Sequence, residues 1–210
     1  MKRTFFLRGS GGQGVQVVGM MLLHAMEELG GHATFFPEYG ASKRGGFSQC
    51  AVMTSDEPIR SFTSKKFDIT VVLNEDSYVK YKEAVKDGGT LVYNSCLIND
   101  VEGSDAHAIV GIPLDSLARD IGNQKVMNTL LFGFLVRYMG MMSMEQAQKI
   151  VNDTTGGKEK FKALNEAALT KGFEEAEKLS NYLNDLEMNH PEEFYTEFNI
   201  PILNRILRKS

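Results

Sequence analysis

The chain has 210 residues, of which 42% are hydrophobic and 24% charged, with a formal net charge of −4 and only two cysteines. That length fits one large domain, given roughly 100–200 residues per domain, able to bury about 70% of its unfolded surface without disulfide staples. The acidic balance, with no long Lys/Arg block, excludes a general nucleic-acid surface, and no apolar run approaches the roughly 18 residues of a membrane span.

Thr4-Phe5-Phe6-Leu7 predicts a first strand that leads directly into Gly9-Ser10-Gly11-Gly12-Gln13-Gly14. Val15, Val18, Leu22, Met26 and Leu29 then recur at helical spacing, and Gly30-Gly31 ends that helix. His32 to Phe36 predicts a second strand stopped by Pro37, Glu38 to Gly46 has loop chemistry, and Phe47 to Thr54 predicts a third strand. Asp68 to Leu73 is a β-branched run, the mark of a strand buried on both faces. Gly88-Gly89 introduces a strand from Thr90 to Tyr93, and His107 to Ile112 a weaker one, with Pro113 at the first turn of a helix. Val126 to Met139 is apolar nearly all round, as in a helix buried on most sides. Ser143 and Gln146 form a capping-box pair. Phe161, Leu164, Ala168, Gly172, Ala176, Leu179, Leu183 and Leu186 make one stripe along a last long helix, with Gly172 as a close-contact point. The pattern is that of an α/β protein, a three-layer α/β/α Rossmann-like sheet, mostly parallel, with a helical C-terminal part. One domain is expected over 1–188, followed by a C-terminal extension over 189–210 without clear period. Met1-Lys2-Arg3 lacks a signal-peptide layout, so a cytoplasmic location is expected.

Strand, glycine-rich turn and helix together aim backbone N–H groups and a helix N-terminus at an anion. Gly9, Gly11 and Gly14 satisfy G-x-G-x-x-G in that context, and Glu38 lies near the place, about 20 residues past the glycines, where a dinucleotide site keeps its acidic residue. An independent NAD(P)-binding protein is therefore one reading, and glycines serving only tight strand–helix packing are another. The loop Pro37-Glu38-Tyr39-Gly40-Ala41-Ser42-Lys43-Arg44-Gly45-Gly46 combines a bidentate donor, Arg44, with flexible backbone. It is expected beside the first glycine loop, at the carboxyl ends of the strands; an Arg44–Glu38 surface pair is the plainer alternative. The four histidines are scattered, and no nucleophile–base pair, paired carboxylates or metal-ligand cluster is evident. Cys50 and Cys96 sit in no C-x-x-C pair, so this chain alone is not expected to hold an iron–sulfur cluster or a structural zinc. Each is expected to be a buried free thiol acting as a small hydrophobe.

Taken together, Gly9-x-Gly-Gly-Gln-Gly14, Pro37-Glu38-Tyr39-Gly40 and Arg44-Gly45-Gly46 resemble the γ subunit of 2-oxoacid:ferredoxin oxidoreductases (pyruvate, 2-oxoglutarate and 2-ketoisovalerate types). The resemblance continues through Asp68, Gly88-Gly89, Asn128, Gly133, Asn165 and Gly172, and covers about Met1 to Leu179. It implies a non-catalytic subunit of an enzyme that decarboxylates a 2-oxoacid, captures the acyl group on coenzyme A and passes electrons through iron–sulfur clusters to ferredoxin. Thiamine diphosphate and magnesium would belong to α and β chains, and clusters to β and a ferredoxin-like δ chain, with no cofactor bound covalently by this chain. The isolated chain would be inactive, with a homodimer open to it. The binding residues implied are Gly9, Ser10, Gly11, Gly12, Gln13, Gly14, Glu38, Arg44, Gly45, Gly46 and Asn128. The diphosphate of coenzyme A is the candidate anion, and a subunit contact the alternative.

Overall fold

A computed structural model of the chain describes residues 2–40, 46–61, 63–156 and 159–189. Six strands form one sheet in the order β2-β3-β1-β4-β5-β6: β1 is Arg3–Ser10, β2 His32–Tyr39, β3 Phe47–Ser55, β4 Phe67–Val72, β5 Val85–Asn94 and β6 Ala108–Ile112. β1, β4, β5 and β6 pair in parallel, while β3 pairs antiparallel with both β1 and β2. Five strands thus point one way and β3 alone runs against them, a mostly parallel sheet.

The glycine loop follows β1 and opens α1 (Val15–Glu28). α1 returns the chain to the far edge, where β2 forms; β3 then fills the gap between β2 and β1. Pro37 does not stop β2. Gly40 N–H donates to the Phe47 carbonyl at 2.9 Å, so the hydrogen-bonded pairs with β3 fall on the even residues of β2. The Pro37 nitrogen faces the free edge, the one side of a sheet where a missing donor costs no ladder bond. Gly88-Gly89 lies inside β5 rather than ahead of it. The pairing with β4 is irregular between Phe67 and Ile69, Gly88 has φ 72°, and a Cβ on Gly89 would stand 2.8 Å from the carbonyls of Asp68 and Lys86. The two glycines let the strand bulge and keep going.

One face of the sheet carries α1, α3 (Leu114–Ile121), α4 (Met127–Tyr138), α5 (Met144–Thr155) and α6 (Glu159–Asn189), whose apolar sides share a single core with Phe5, Leu7, Val52, Ile69, Val71 and Val92. Among the described residues the other face carries one short helix, α2 (Glu75–Tyr81), over Val72, Val85 and Leu91. The layers are therefore very unequal. Ten of the twelve residues of α4 are buried, as its apolar circumference requires. α4 and α6 run side by side in the same direction, Thr129 beside Asn165 and Arg137 beside Glu177, with α5 as the return. Their axes come close where Gly133 meets the Leu169 carbonyl and Gly172 meets Leu130 and Phe134. Ser143 and Gln146 make the reciprocal capping box at the start of α5. No helix among the described residues is long and apolar enough to cross a membrane.

Candidate functional site

Three glycines have to be glycine for the turn to exist. Gly12 and Gly14 take φ of +100° and +77°, a region costly to residues with a Cβ. A Cβ on Gly9 would stand 2.5 Å from Gln13 Oε1 and 3.1 Å from Leu73 Cβ. Gly14 packs directly on the first turn of α4, where a Cβ would come within 2.8 Å of Asn128 Cβ. Gly14 is the N-cap of α1, no side chain caps that helix, and its first turn holds no acidic residue. The first N–H groups of a helix have no intrahelical partner, so α1 presents donors without a side-chain cap among the described residues, and the positive end of its dipole, at the loop.

Neighbouring loops hold this turn in place. Gly11 N–H donates to the Gly46 carbonyl at 2.8 Å, which puts the start of β3 beside the glycine loop at the carboxyl ends of β1 and β4, as expected from the sequence. Gln13 folds back: its Oε1 accepts from Ser10 N–H at 2.6 Å and its Nε2 donates to the Leu73 carbonyl at 3.2 Å. Its side chain is framework. Asn128 Oδ1 accepts from Thr129 N–H at 2.8 Å. Arg44 and Gly45 lie outside the described residues.

Glu38 is held apart from the glycines. β3 stands between β2 and β1, so Glu38 is two strands, about 10 Å, from the β1 backbone. Its Oε2 accepts from Gln49 Nε2 at 2.7 Å, and Gln49 Oε1 in turn accepts from Arg8. Arg8 is 4% exposed, stacked between the rings of Phe47 and Tyr81 at 4.3 and 4.8 Å, with Asp76 at 3.4 Å. The row Glu38–Gln49–Arg8–Asp76 ties four elements together below the loops. Hydrogen bonds from Lys80 first, and from Arg8, hold the Asp76 carboxyl below its usual range. An acidic residue free to grip a ribose next to the glycines, which a dinucleotide site needs, is not what this geometry provides.

The two thiols differ. Cys50 is buried, its Sγ 3.6 Å from the Val15 carbonyl, and burial pushes it up to about 12. Cys96 is half-buried in the turn after β5, beside Ser116, because that turn lies outside the core rather than in a strand. No group of three His, Cys, Asp or Glu able to hold a metal ion occurs among the described residues.

Asn74, not among the site residues expected from the sequence, joins the site from the turn after β4. It caps α2, accepting from Ser77 N–H at 2.9 Å, and donates to Ser10 Oγ at 2.8 Å and to Gln13 Oε1 at 3.3 Å. An Asn ahead of Glu75-Asp76 is an N-cap signal, but nothing in the sequence tells that it reaches Ser10.

These features define an α/β fold with a glycine-built loop at an uncapped helix start. Residues 4–175 match the model of the pyruvate ferredoxin/flavodoxin oxidoreductase family, and the chain belongs to that family. It is 32% identical over 184 residues to the 2-oxoglutarate synthase subunit KorC of Methanocaldococcus jannaschii, covering 85% of this chain and 96% of that protein. It is likewise 32% identical over 170 residues to the ketoisovalerate oxidoreductase subunit VorA of Methanothermobacter thermautotrophicus, covering 80% of this chain but 35% of that one. The chain thus spans about a third of the VorA relatives' length. Among solved structures it is similar to the γ subunit of a keto/oxoacid ferredoxin oxidoreductase from Geobacter sulfurreducens, with TM-score 0.74 and 28% identity over 85% of this chain and 98% of that one.

Proposed function

We propose that this chain is the γ subunit of a thiamine-diphosphate-dependent 2-oxoacid:ferredoxin oxidoreductase, and that its glycine loop receives the diphosphate of coenzyme A. The uncapped start of α1 carries this reading: backbone donors, a helix dipole and no carboxylate in the first turn suit an anion. In this reading the chain's part is to bind and orient. Thiamine diphosphate, magnesium and iron–sulfur clusters would be held by α, β and ferredoxin-like δ chains, with ferredoxin as final acceptor. Names of relatives support the 2-oxoacid class, since they include 2-oxoglutarate and pyruvate synthase subunits. In that role Gly9, Gly11, Gly12 and Gly14 shape the turn and Gln13 braces it. The Ser10 hydroxyl and the α1 N–H groups meet the anion. Asn128 buttresses Gly14 and Gly46 holds Gly11, while Arg44 and Gly45 are assigned to the same anion from the sequence motif alone.

The test is Gly12→Val in the assembled complex. No atom crowds Gly12, but its φ of +100° forbids a branched side chain without strain. The expected outcome is a complex that assembles and needs more coenzyme A for half-maximal rate. Unchanged acyl–coenzyme A formation would make the loop a protein contact. Arg44→Lys is expected to weaken coenzyme A use or assembly by about 2 kcal/mol, the scale of one charged hydrogen bond; no change in either returns Arg44 to a surface ion pair.

A further inference from the structure

We infer that Asn74 is a positioning residue for the glycine loop, one that turns the Ser10 hydroxyl into a donor for the bound anion; this rests on the reading of the loop as an anion site. The hydrogen bonds fix the direction. Asn74 Oδ1 is committed to Ser77 N–H at 2.9 Å, so the other end of the amide is its NH2 group. Both of those hydrogens are used, on Ser10 Oγ at 2.8 Å and on Gln13 Oε1 at 3.3 Å. A hydroxyl has one proton and two lone pairs. With a lone pair of Ser10 Oγ taken by Asn74, its proton is left without an acceptor among the described residues. The donors therefore run one way, from the start of α2 through Asn74 to Ser10, and end in an O–H of the same turn that opens α1. The same amide braces Gln13 Oε1, which also receives Ser10 N–H at 2.6 Å. Asn74 thus sets both the shape of the turn and the polarity of its one hydroxyl.

Asp in its place separates this role from capping. Aspartate caps helices as well as asparagine, so α2 keeps its start. A carboxylate only accepts; it repels Gln13 Oε1, draws the Ser10 proton toward itself and sets a negative charge beside the anion. In the reconstituted complex, Asn74→Asp is expected to raise the KM for coenzyme A about tenfold or more, with kcat within twofold and the complex still assembled. Ser10→Ala, which leaves α2 alone and serves if the aspartate variant does not assemble, is expected to raise that KM too. The double variant should be no worse than Asn74→Asp alone, since both act through one hydroxyl. A KM within twofold of wild type in Asn74→Asp, while Gly12→Val raises it, overturns the inference, as do fully additive effects. If Gly12→Val also leaves the KM unchanged, the anion reading fails. The positioning role then stands only if Asn74→Asp speeds amide hydrogen exchange across Ser10 to Gly14 at least tenfold.

Discussion

Replacing Gly172 by Ala tests the packing that sets α4 behind the loop. A Cβ there would run into the Leu130 carbonyl and lie 2.7 Å from the Phe134 nitrogen, both backbone atoms of α4. Side-chain rotation relieves neither, so the two helices must separate by roughly 1 Å to reach ordinary contact near 3.5 Å. Overpacking of this kind costs about 1–3 kcal/mol, occasionally more, and here the upper part of that range applies because rigid elements must move. The gain in helix propensity, about 1 kcal/mol, offsets part of it. The net expectation is a loss of about 2 kcal/mol, or roughly 4–8 °C in melting temperature for a chain of this size. Thermal unfolding followed by circular dichroism reads this directly. Gly103→Ala is the control, since nothing lies within 4 Å of that position and its φ is not positive; it should melt at or slightly above wild type. A Gly172→Ala protein that melts with wild type would refute the close crossing of α4 and α6.

Under native conditions at pH 8, a maleimide should label Cys96 and spare Cys50, whose burial pushes it up to about 12; mass spectrometry showing two native labels would contradict the core placement. Burial holds His107 below its usual value, with Ser104 Oγ 3.1 Å from Nδ1. The unfolded chain then binds the proton more readily, so this contribution to stability is present above about pH 6.5 and is lost as the pH falls below it. His107→Gln should flatten the fall in unfolding free energy below that pH; an equally steep fall removes His107 as its cause. The isolated chain should show no saturable micromolar binding of NAD or NADP, because Glu38 is paired with Gln49 two strands away from the glycines.

What the sequence made legible was mainly local. The glycine turn, α1, the buried run of β4, the capping box of α5 and the apolar girdle of α4 follow from spacing and composition, and the structure has them within a residue or two. Pro37 and Gly88-Gly89 misled because their effect depends on context. A proline breaks a ladder only if its nitrogen faces a partner strand, and the pairing decides that. The seven-residue α2 is too short for a helical period to emerge. The place of Glu38 also escaped, since a return strand inserted between β1 and β2 leaves no trace in the distance counted from the glycines. The framework role of Gln13 and the link from Asn74 to Ser10 are long-range pairings that no motif records.

Electron transfer from a 2-oxoacid in defined mixtures of subunits tests the central claim most directly. The chain is produced alone and together with the α, β and ferredoxin-like δ chains proposed for it, and viologen reduction is followed with a 2-oxoacid and coenzyme A. The chain alone should give no turnover. The assembly should give coenzyme A-dependent reduction that disappears when this chain is left out. Turnover by the chain alone, or full coenzyme A-dependent activity of the other chains without it, would contradict the account.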